Sequence, residues 1–399
     1  MTETTPRPLD GLRVVEMGQL LAGPFCGTLL GYYGAEVIKI EPQTGDPIRT
    51  WRETRNGQSY WWSSLARNKK SVTLNLRKEA GRALARRLIE QADVLIENFR
   101  PGTLEKWGLD PAELQRQNPD LIVARISGYG QTGPYASRPG YASVCEGFGG
   151  LRYLNGVPGE RPVRPNLSLG DTLTGVHAAF GVLLSVIDRQ RRKAGGQTVD
   201  VGIFESIFNM MEAVVPEYSG AGAVRGPSGS TITGIVPTNT YECKDGKYVI
   251  IGGNGESIFQ RLMVAAGRPD MAEDPKFAGN ENRVVHEREI DAALDAWCSE
   301  LTLQEVLEAL EQAEVPSGPI YSVRDMMEDP QYQARELFEE VEFQGEPLQI
   351  PAILPRLSGT PGRTEWPGPE LGSHNGEVYG ELLGLDAEEL KRLAEDEVI

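Results

Sequence analysis

Asp171 is the side chain whose setting in this sequence best suits covalent chemistry. It follows Gly170 where an extended stretch, 166–169, gives way to helical spacing. The amides and the dipole at a helix start keep a carboxylate ionised, and a carboxylate can attack an acyl carbon to form an anhydride. We expect Gly170 to leave room for a bulky electrophile. Acids here are also common as ordinary helix caps, so the residues alone leave both roles open.

Histidine-dependent hydrolase chemistry is disfavoured. The chain has 3 histidines, His177, His286 and His374, and no Gly-x-Ser-x-Gly motif. His177 lies six residues into the predicted Asp171 helix, about 240° round from Asp171. No orienting partner is visible near any of the three, so we predict structural roles for all of them.

A glycine-rich segment, GYGQTG at 128–133, formally matches the dinucleotide fingerprint and follows a predicted strand. Pro134 stands where the fingerprint requires a helix to begin. We therefore interpret the segment as a loop that lines a site at the end of a strand.

Basic side chains cluster at several points in an acidic chain of net charge -17. Such runs usually mark a solvated face, but these residues are also the candidates for binding phosphates: Lys69, Lys70, Arg77, Lys78, Arg100 and Lys106. The overall charge argues against a nucleic-acid or anionic-membrane partner.

Length and composition predict a globular protein with more than one core. The chain has 399 residues, of which 40% are hydrophobic and 24% charged. Its 4 cysteines have no metal-binding or disulfide spacing. Neither a signal peptide nor a run of 18 apolar residues is visible. We expect a cytoplasmic protein without a metal site.

Strands alternate with helices in the first half of the chain. The strands are predicted at 12–17, 36–41, 94–97, 121–126 and 198–201, and the helices at 22–33, 79–91, 171–193 and 203–215. This order is typical of an α/β fold with a Rossmann-like parallel sheet. Ligands of such sheets lie beyond the carboxyl ends of the strands.

A change in amino-acid composition near residue 220 predicts a second domain. Residues 220–240 are rich in Gly, Ser, Thr and Pro, and a predicted hairpin and three helices follow. We predict a large domain over 1–219, a smaller α+β domain over 220–325, and a return segment, 326–399, that completes the large domain.

Many of these segments together resemble the class III CoA-transferase family, the formyl-CoA transferase-like group that also contains acyl-CoA racemases. The similarity spans nearly the whole chain in the right order. The matching runs are PLDG at 8–11, AGP at 22–24, GAEVIKIE at 34–41, NKKS at 68–71, ENFRPG at 97–102, GY at 140–141, LGD at 169–171, GGQTVDV at 195–201, GPI at 318–320 and LGSH at 371–374.

The resemblance implies CoA transfer between carboxylic acids, with Asp171 as the catalytic residue. An acyl-aspartyl anhydride and an aspartyl-CoA thioester would be the intermediates, with CoA as a substrate and no metal or prosthetic group. Tyr141 would lie over the reacting centre, and a glycine loop at 226–230 would cover it. The implied CoA-binding residues are Gln19, Leu20, Leu21, Leu74, Arg77, Asn98, Phe99, Lys106, Trp107 and Tyr141.

The resemblance also implies an interlocked homodimer and leaves two other functions open. An acyl-CoA racemase needs a histidine where Tyr141 stands, and a non-catalytic acyl-CoA binding protein would not use Asp171. Pro42, Ala142 and Glu146 depart from residues that are common in the family.

The substrate is predicted from cations that could clamp a second carboxylate with two hydrogen bonds. Arg52, Arg138 and Arg164 are the candidates. We therefore expect dicarboxylic acids, such as succinate with oxalate, glutarate or malate-like acceptors.

Overall fold

The computed structural model describes residues 5–399, which form two compact units. One unit holds residues 5–151, 165–212 and 334–399, and the other holds 152–164 and 213–333. The strands are β1 Arg13–Glu16, β2 Glu36–Glu41, β3 Thr54–Arg55, β4 Gln58–Ser59, β5 Lys69–Thr73, β6 Val94–Glu97, β7 Ile122–Ser127, β8 Thr198–Gly202, β9 Thr238–Glu242, β10 Tyr248–Gly252, β11 Ser317–Pro319, β12 Phe338–Phe343 and β13 Glu346–Pro351.

The helices vary from single turns to one long core helix. They are α1 Ala22–Tyr32, α2 Tyr60–Leu65, α3 Glu79–Glu90, α4 Thr103–Lys106, α5 Pro111–Gln117, α6 Ala142–Phe148, α7 Leu151–Leu154, α8 Leu169–Arg192, α9 Ile203–Phe208, α10 Val214–Ala221, α11 Glu256–Ala265, α12 Pro269–Glu273, α13 Asn280–Val285, α14 Glu287–Ser299, α15 Leu303–Gln312, α16 Val323–Glu328, α17 Pro330–Ala334 and α18 Ala387–Glu395. A π-helical turn spans Gly376–Leu382, and 3-10 turns span Pro47–Thr50 and Pro275–Phe277.

The first unit is built on a sheet of six parallel strands in the order β5-β2-β1-β6-β7-β8. The four central strands, β2, β1, β6 and β7, are almost entirely buried, as is usual for a parallel sheet that is covered on both faces. Val15, Leu95 and Val123 pack in one core with α3, and their neighbours along the strands pack in another with α1 and α8. The predicted α/β fold with a parallel sheet is confirmed.

Strand β5 was not predicted, because its first two residues are Lys69 and Lys70. The interpretation of this pair as a solvated face or as phosphate ligands is wrong for Lys69, which is fully buried. Its ammonium group lies 2.8 Å from the carboxylate of Glu16. A distant partner, which local sequence cannot show, makes the burial of this charge tolerable.

Helix α8 begins at Leu169, two residues earlier than predicted, so Asp171 lies within its first turn. The helix has the length and hydropathy of a membrane span, but 44% of its most apolar window is buried. Ala178 and Val182 on its inner face pack against the sheet. A helix in the core of a globular protein can have the same length and hydropathy.

The second unit has its own core. Strands β9, β10 and β11 form an antiparallel sheet whose buried face packs with α11, α14 and α15. The predicted hairpin and the three predicted helices are confirmed. The single helix predicted over 203–215 is wrong, because α9 ends at Phe208 and α10 begins at Val214. The domain boundaries at 219 and 325 stay a prediction.

Candidate active site

Two pockets of the first unit lie beyond the carboxyl ends of its parallel strands. The larger has a volume of about 510 Å³ and the smaller one about 220 Å³. Gln19 and Phe99 line both, so the pockets adjoin. The larger pocket is lined by Met17, Gln19, Ile40, Glu41, Pro42, Gln43, Thr44, Gly45, Pro47, Leu74, Asn75, Leu76, Arg77, Phe99 and Trp107.

The smaller pocket contains Asp171. Its other lining residues are Gln19, Leu20, Leu21, Ala22, Asn98, Phe99, Arg100, Pro101, Ile126, Ser127, Gly128, Arg138, Pro139, Gly140, Tyr141 and Ile203. Asp171 is half-buried, and the pocket wall also includes Leu21 and Ala22 at the start of α1. Two helix starts therefore flank one cavity, an arrangement that favours negative charge there.

Gly170 sets the position of Asp171 through close packing. A Cβ atom at residue 170 would lie 3.2 Å from Cγ of Glu146 and 3.2 Å from Cγ2 of Ile203. The amide of Gly170 donates a hydrogen bond of 3.2 Å to Oε1 of the fully buried Glu146. The expectation that Gly170 leaves room for an electrophile is wrong, because α6 and α9 occupy that space.

Cys145 is a second potential nucleophile beside the pocket of Asp171, but its environment keeps its thiol protonated. It is fully buried, and its thiol donates a hydrogen bond of 3.3 Å to the carbonyl of Gly128. Burial and the negative charges of Asp171 and Glu146 raise the pKa of Cys145 to about 11. Asp171 is therefore the group in this pocket that is suited to attack at neutral pH.

The segment that joins β1 to α1 forms the wall shared by the two pockets. The amide of Gln19 donates to Oδ1 of Asn98 at 2.9 Å, and Nδ2 of Asn98 returns a bond of 2.8 Å to the carbonyl of Gln19. Leu20 has a φ of 64°, and its amide donates to both carboxylate oxygens of Asp46 at 3.2 Å. The wall is thus fixed by side chains from other segments.

The structure brings most of the predicted site residues to these two pockets. Gln19, Leu74, Arg77, Phe99 and Trp107 line the larger pocket. The smaller pocket takes Asp171 together with the predicted binding residues Gln19, Leu20, Leu21, Asn98, Phe99 and Tyr141. Lys106 lines neither pocket; it is an exposed residue at the end of α4.

The three arginines named for carboxylate binding lie in different places. Arg138 lines the Asp171 pocket and stacks on Tyr135 at 3.7 Å. Arg52 stacks on Trp61 at 4.6 Å and lines neither pocket. Arg164 belongs to the second unit, as does the proposed glycine loop at 226–230.

The histidines do not line either of these pockets. Nδ1 of His374 accepts a hydrogen bond of 3.2 Å from the amide of Ser71, and burial lowers the pKa of its ring. Pro42 was named in the sequence analysis only as a departure from the family, and the pocket residues 43–45 and 75 were missed. The rule that ligands lie beyond the carboxyl ends of strands could have found residues 43–45, which follow the predicted strand 36–41, whereas residue 75 follows β5, which was not predicted.

Comparison with known proteins decides the family. Residues 9–375 match the model of CoA-transferase family III. The chain belongs to this family.

Relatives in the family share the full length of the chain. It is 44% identical over 402 residues to succinyl-CoA–D-citramalate CoA-transferase of Chloroflexus aurantiacus, with 100% of both chains covered. It is 34% identical to succinate–glutarate CoA-transferase of Agrobacterium fabrum, with 95% of this chain and 96% of the relative covered. A CAIB/BAIF family protein from Brucella suis has a similar crystal structure, with a TM-score of 0.83, 34% identity and coverage of 95% and 100%.

The two pockets of this family III CoA-transferase differ in the side chains that line them. The larger pocket offers an aromatic pair, Phe99 and Trp107, with ring centres 5.0 Å apart. Its cationic residue is Arg77. The smaller pocket offers a carboxylate beside two helix starts, together with Arg100 and Arg138. Among residues 5–399, no cluster of three or more His, Cys, Asp or Glu side chains could hold a metal ion.

Proposed function

We propose that this protein transfers CoA from a dicarboxylic acyl-CoA, such as succinyl-CoA, to a second dicarboxylic acid through covalent intermediates on Asp171. The observation that carries the proposal is the position of Asp171. Its carboxylate lies in a pocket that adjoins a second, larger cavity across Gln19 and Phe99. A CoA thioester laid along this wall would bring its carbonyl carbon to Asp171.

The reaction begins with attack of Asp171 on the thioester carbonyl. CoA leaves as a thiolate and an acyl-aspartyl anhydride forms. The thiolate then attacks the aspartyl carbonyl, releases the donor acid and leaves an aspartyl-CoA thioester. The acceptor carboxylate attacks the aspartyl carbonyl of this thioester, which releases CoA thiolate and gives a second anhydride, and the thiolate then attacks the acyl carbon of the acceptor. Acyl-CoA leaves and Asp171 is regenerated.

Each tetrahedral intermediate carries a negative charge that needs a donor. The first turn of α1 supplies backbone amides at the pocket wall, and no side chain caps this helix start. Preorganised amides of this kind contribute about 3–4 kcal/mol to acyl transfer in other enzymes. Water must be excluded during the reaction, because it would hydrolyse both intermediates.

The larger pocket is suited to the nucleotide end of CoA. Trp107 and Phe99 offer apolar surfaces to an adenine ring, and Arg77 with the polar residues 43–44 faces the same cavity. Lys106 adjoins Trp107 in the chain and supplies a charge at the protein surface. The pantetheine arm would then pass Gln19 and Asn98.

The dicarboxylate preference rests on two arginines and on the relatives. Arg100 and Arg138 share the pocket with Asp171 in a chain of net charge -17. An arginine can hold a carboxylate through two parallel hydrogen bonds. The relatives named above carry succinyl-CoA, D-citramalate, succinate and glutarate in their names. We propose Arg138 as the group that binds the distal carboxylate.

A panel of substrates tests this function. Succinyl-CoA offered with D-citramalate, L-malate, glutarate and oxalate should give a new CoA thioester with at least one of these acids. The substitution Arg138→Met should raise KM for dicarboxylates far more than KM for monocarboxylates. Asp171→Ala should abolish turnover. An Asp171→Ala variant that keeps more than about a tenth of the activity would contradict the proposal, because loss of a covalent nucleophile costs much more.

An exchange experiment on the same purified protein tests the racemase alternative. Tyr141 lines the pocket where a racemase needs a histidine base. Incubation of a chiral 2-methylacyl-CoA in heavy water should leave its α-hydrogen unexchanged. A non-catalytic acyl-CoA binding protein would bind CoA but give no product with any acceptor.

We also propose a homodimer, with the two chains interlocked as in the family. Helix α8 carries an apolar stripe of Val176, Phe180, Leu184 and Ile187, whose side chains are 44–59% exposed. Their spacing of three and four residues places them on one face. A second copy of the chain would cover this face. A cytoplasmic location, with CoA as substrate and no prosthetic group, is consistent with the proposed chemistry.

A further inference from the structure

Leu20 is held in a backbone conformation that its side chain disfavours. Its φ of 64° lies in the left-handed region, where a Cβ atom crowds the following carbonyl. The residue lines the pocket of Asp171. Something outside this segment must therefore stabilise the conformation.

The stabilising contacts come from four buried charges. The carboxylate of Asp46 accepts both 3.2 Å bonds from the Leu20 amide. Nζ of Lys39 lies 3.0 Å from Asp46 and 2.9 Å from Glu16. Nζ of Lys69 lies 2.8 Å from the other oxygen of Glu16. All four side chains are at most 1% exposed, and their charges alternate.

The two ammonium groups also hold the ends of the same segment. Lys39 donates to the carbonyl of Gly18 at 2.9 Å, and Lys69 donates to that of Pro24 at 2.6 Å. The network therefore binds the backbone before, within and after residues 19–22, which form the pocket wall. Apolar side chains of similar volume would stabilise the fold as well as buried ion pairs do, but they could not hold these backbone groups.

We propose that Glu16, Lys39, Asp46 and Lys69 are positioning residues that hold wall 19–22 in the geometry required for acyl transfer, an inference that rests on the proposed function. None of the four side chains lines either pocket. It acts through Leu20 and through the start of α1, whose amides face the developing oxyanion.

The test combines Asp46→Ala with changes of Leu20. Asp46→Ala should lower kcat by about 10- to 100-fold, because displacement of a catalytic wall by an ångström has an effect of that size. The dissociation constant of CoA alone should change by a smaller factor than kcat, because the nucleotide end of CoA would lie in the larger pocket. Asparagine tolerates the left-handed region better than leucine, so Asp46→Ala should reduce kcat much less in a Leu20→Asn background than in the native one.

Glu256→Gln is the matched control, because it breaks the ion pair with the buried Arg283 in the second unit. It should leave kcat unchanged. An unchanged kcat in Asp46→Ala, or an equal loss in both Leu20 backgrounds, would overturn the proposal. If Asp46→Ala fails to fold, Leu20→Val and Leu20→Asn replace it in the test. Leu20→Val should have the lower kcat, because a β-branched residue is an outlier at this φ. Equal kcat values for the two variants would reject the role of the network. Turnover by Asp171→Ala would instead reject the proposed function.

Discussion

At the scale of single residues, the position of Asp171 depends on the small size of Gly170. The first turn of α8 packs against α6 and α9 so closely that even a methyl group at residue 170 meets Glu146 and Ile203 at 3.2 Å. Interiors at native packing density transmit such strain to their neighbours. The nucleophile is therefore positioned by packing as well as by hydrogen bonds.

Gly170→Ala should lower kcat by about 10- to 100-fold with little change in KM for the acyl-CoA, because the shifted helix start misplaces the carboxylate. Steady-state kinetics with succinyl-CoA measures both constants. Gly147→Ala is the control, since a Cβ atom at this position of α6 meets nothing within 4 Å. Equal kinetics for the two variants would show that packing at residue 170 does not position Asp171.

At the scale of elements, the parts predicted from the sequence are those with local signals. Strands β1, β2 and β6 are rich in Val, Ile and Leu, and the Gly170-Asp171 turn marks a helix start. Strand β5 was missed because its two lysines pair with acids that precede them by more than 30 residues: the buried Lys69 pairs with Glu16, and the partly buried Lys70 pairs with Glu36. Pocket residues 43–45 and 75 were missed because no local motif marks them, and only their position after β2 and β5 places them at the site. Charge pairing between strands that are distant in the sequence is visible only in the folded structure.

A buried ion pair between Arg49 and Glu41 fixes the 3-10 turn beside the larger pocket. Arg49, in the turn Pro47–Thr50, binds both oxygens of Glu41 on β2 at 2.7 and 2.8 Å. It also stacks on Trp62 at 3.8 Å. Burial alone would raise the pKa of Glu41, but pairing with Arg49 and the charge of Lys39 hold it below its usual value. The turn is thereby fixed to the sheet at the edge of the pocket.

Arg49→Met should reduce the free energy of unfolding by about 3–5 kcal/mol, because it leaves a buried carboxylate without its partner. Denaturant titration at pH 7 measures the loss. A depressed carboxyl pKa stabilises the fold above the pKa of the unfolded group, and this stabilisation is lost as pH falls through the folded pKa. The difference between variant and parent should therefore shrink in acid. Arg67→Met also removes a buried arginine, but this guanidinium donates to the carbonyls of Ser64 and Pro351 and lies 3.4 Å from Glu339, so its effect should shrink less in acid if Glu41 is the cause.

At the scale of the whole molecule, the apolar stripe of α8 is exposed in a single chain. The same helix carries Asp171 at its start and buries its inner face in the core of the first unit. A stripe of exposed Phe, Leu, Ile and Val side chains on a core helix is typical of a subunit interface. Coverage by a second chain would couple assembly to the element that holds the nucleophile.

Phe180→Glu should convert the proposed dimer into single chains, because a carboxylate buried without a partner at the centre of an interface is strongly unfavourable. Light scattering coupled to gel filtration measures the mass. Val264→Glu, at an exposed position of α11, should leave the mass unchanged. A parent protein that already runs as one chain at micromolar concentration would contradict the dimer.

Covalent capture of Asp171 tests the central claim most directly. Hydroxylamine added during turnover with succinyl-CoA should convert the aspartyl-CoA thioester into a hydroxamate, which peptide mass spectrometry locates. We predict modification at Asp171 alone, inactivation in step with its extent, and no modification when the acyl-CoA is omitted. Sustained transfer of CoA with Asp171 unmodified, or a label on another residue, would contradict the account.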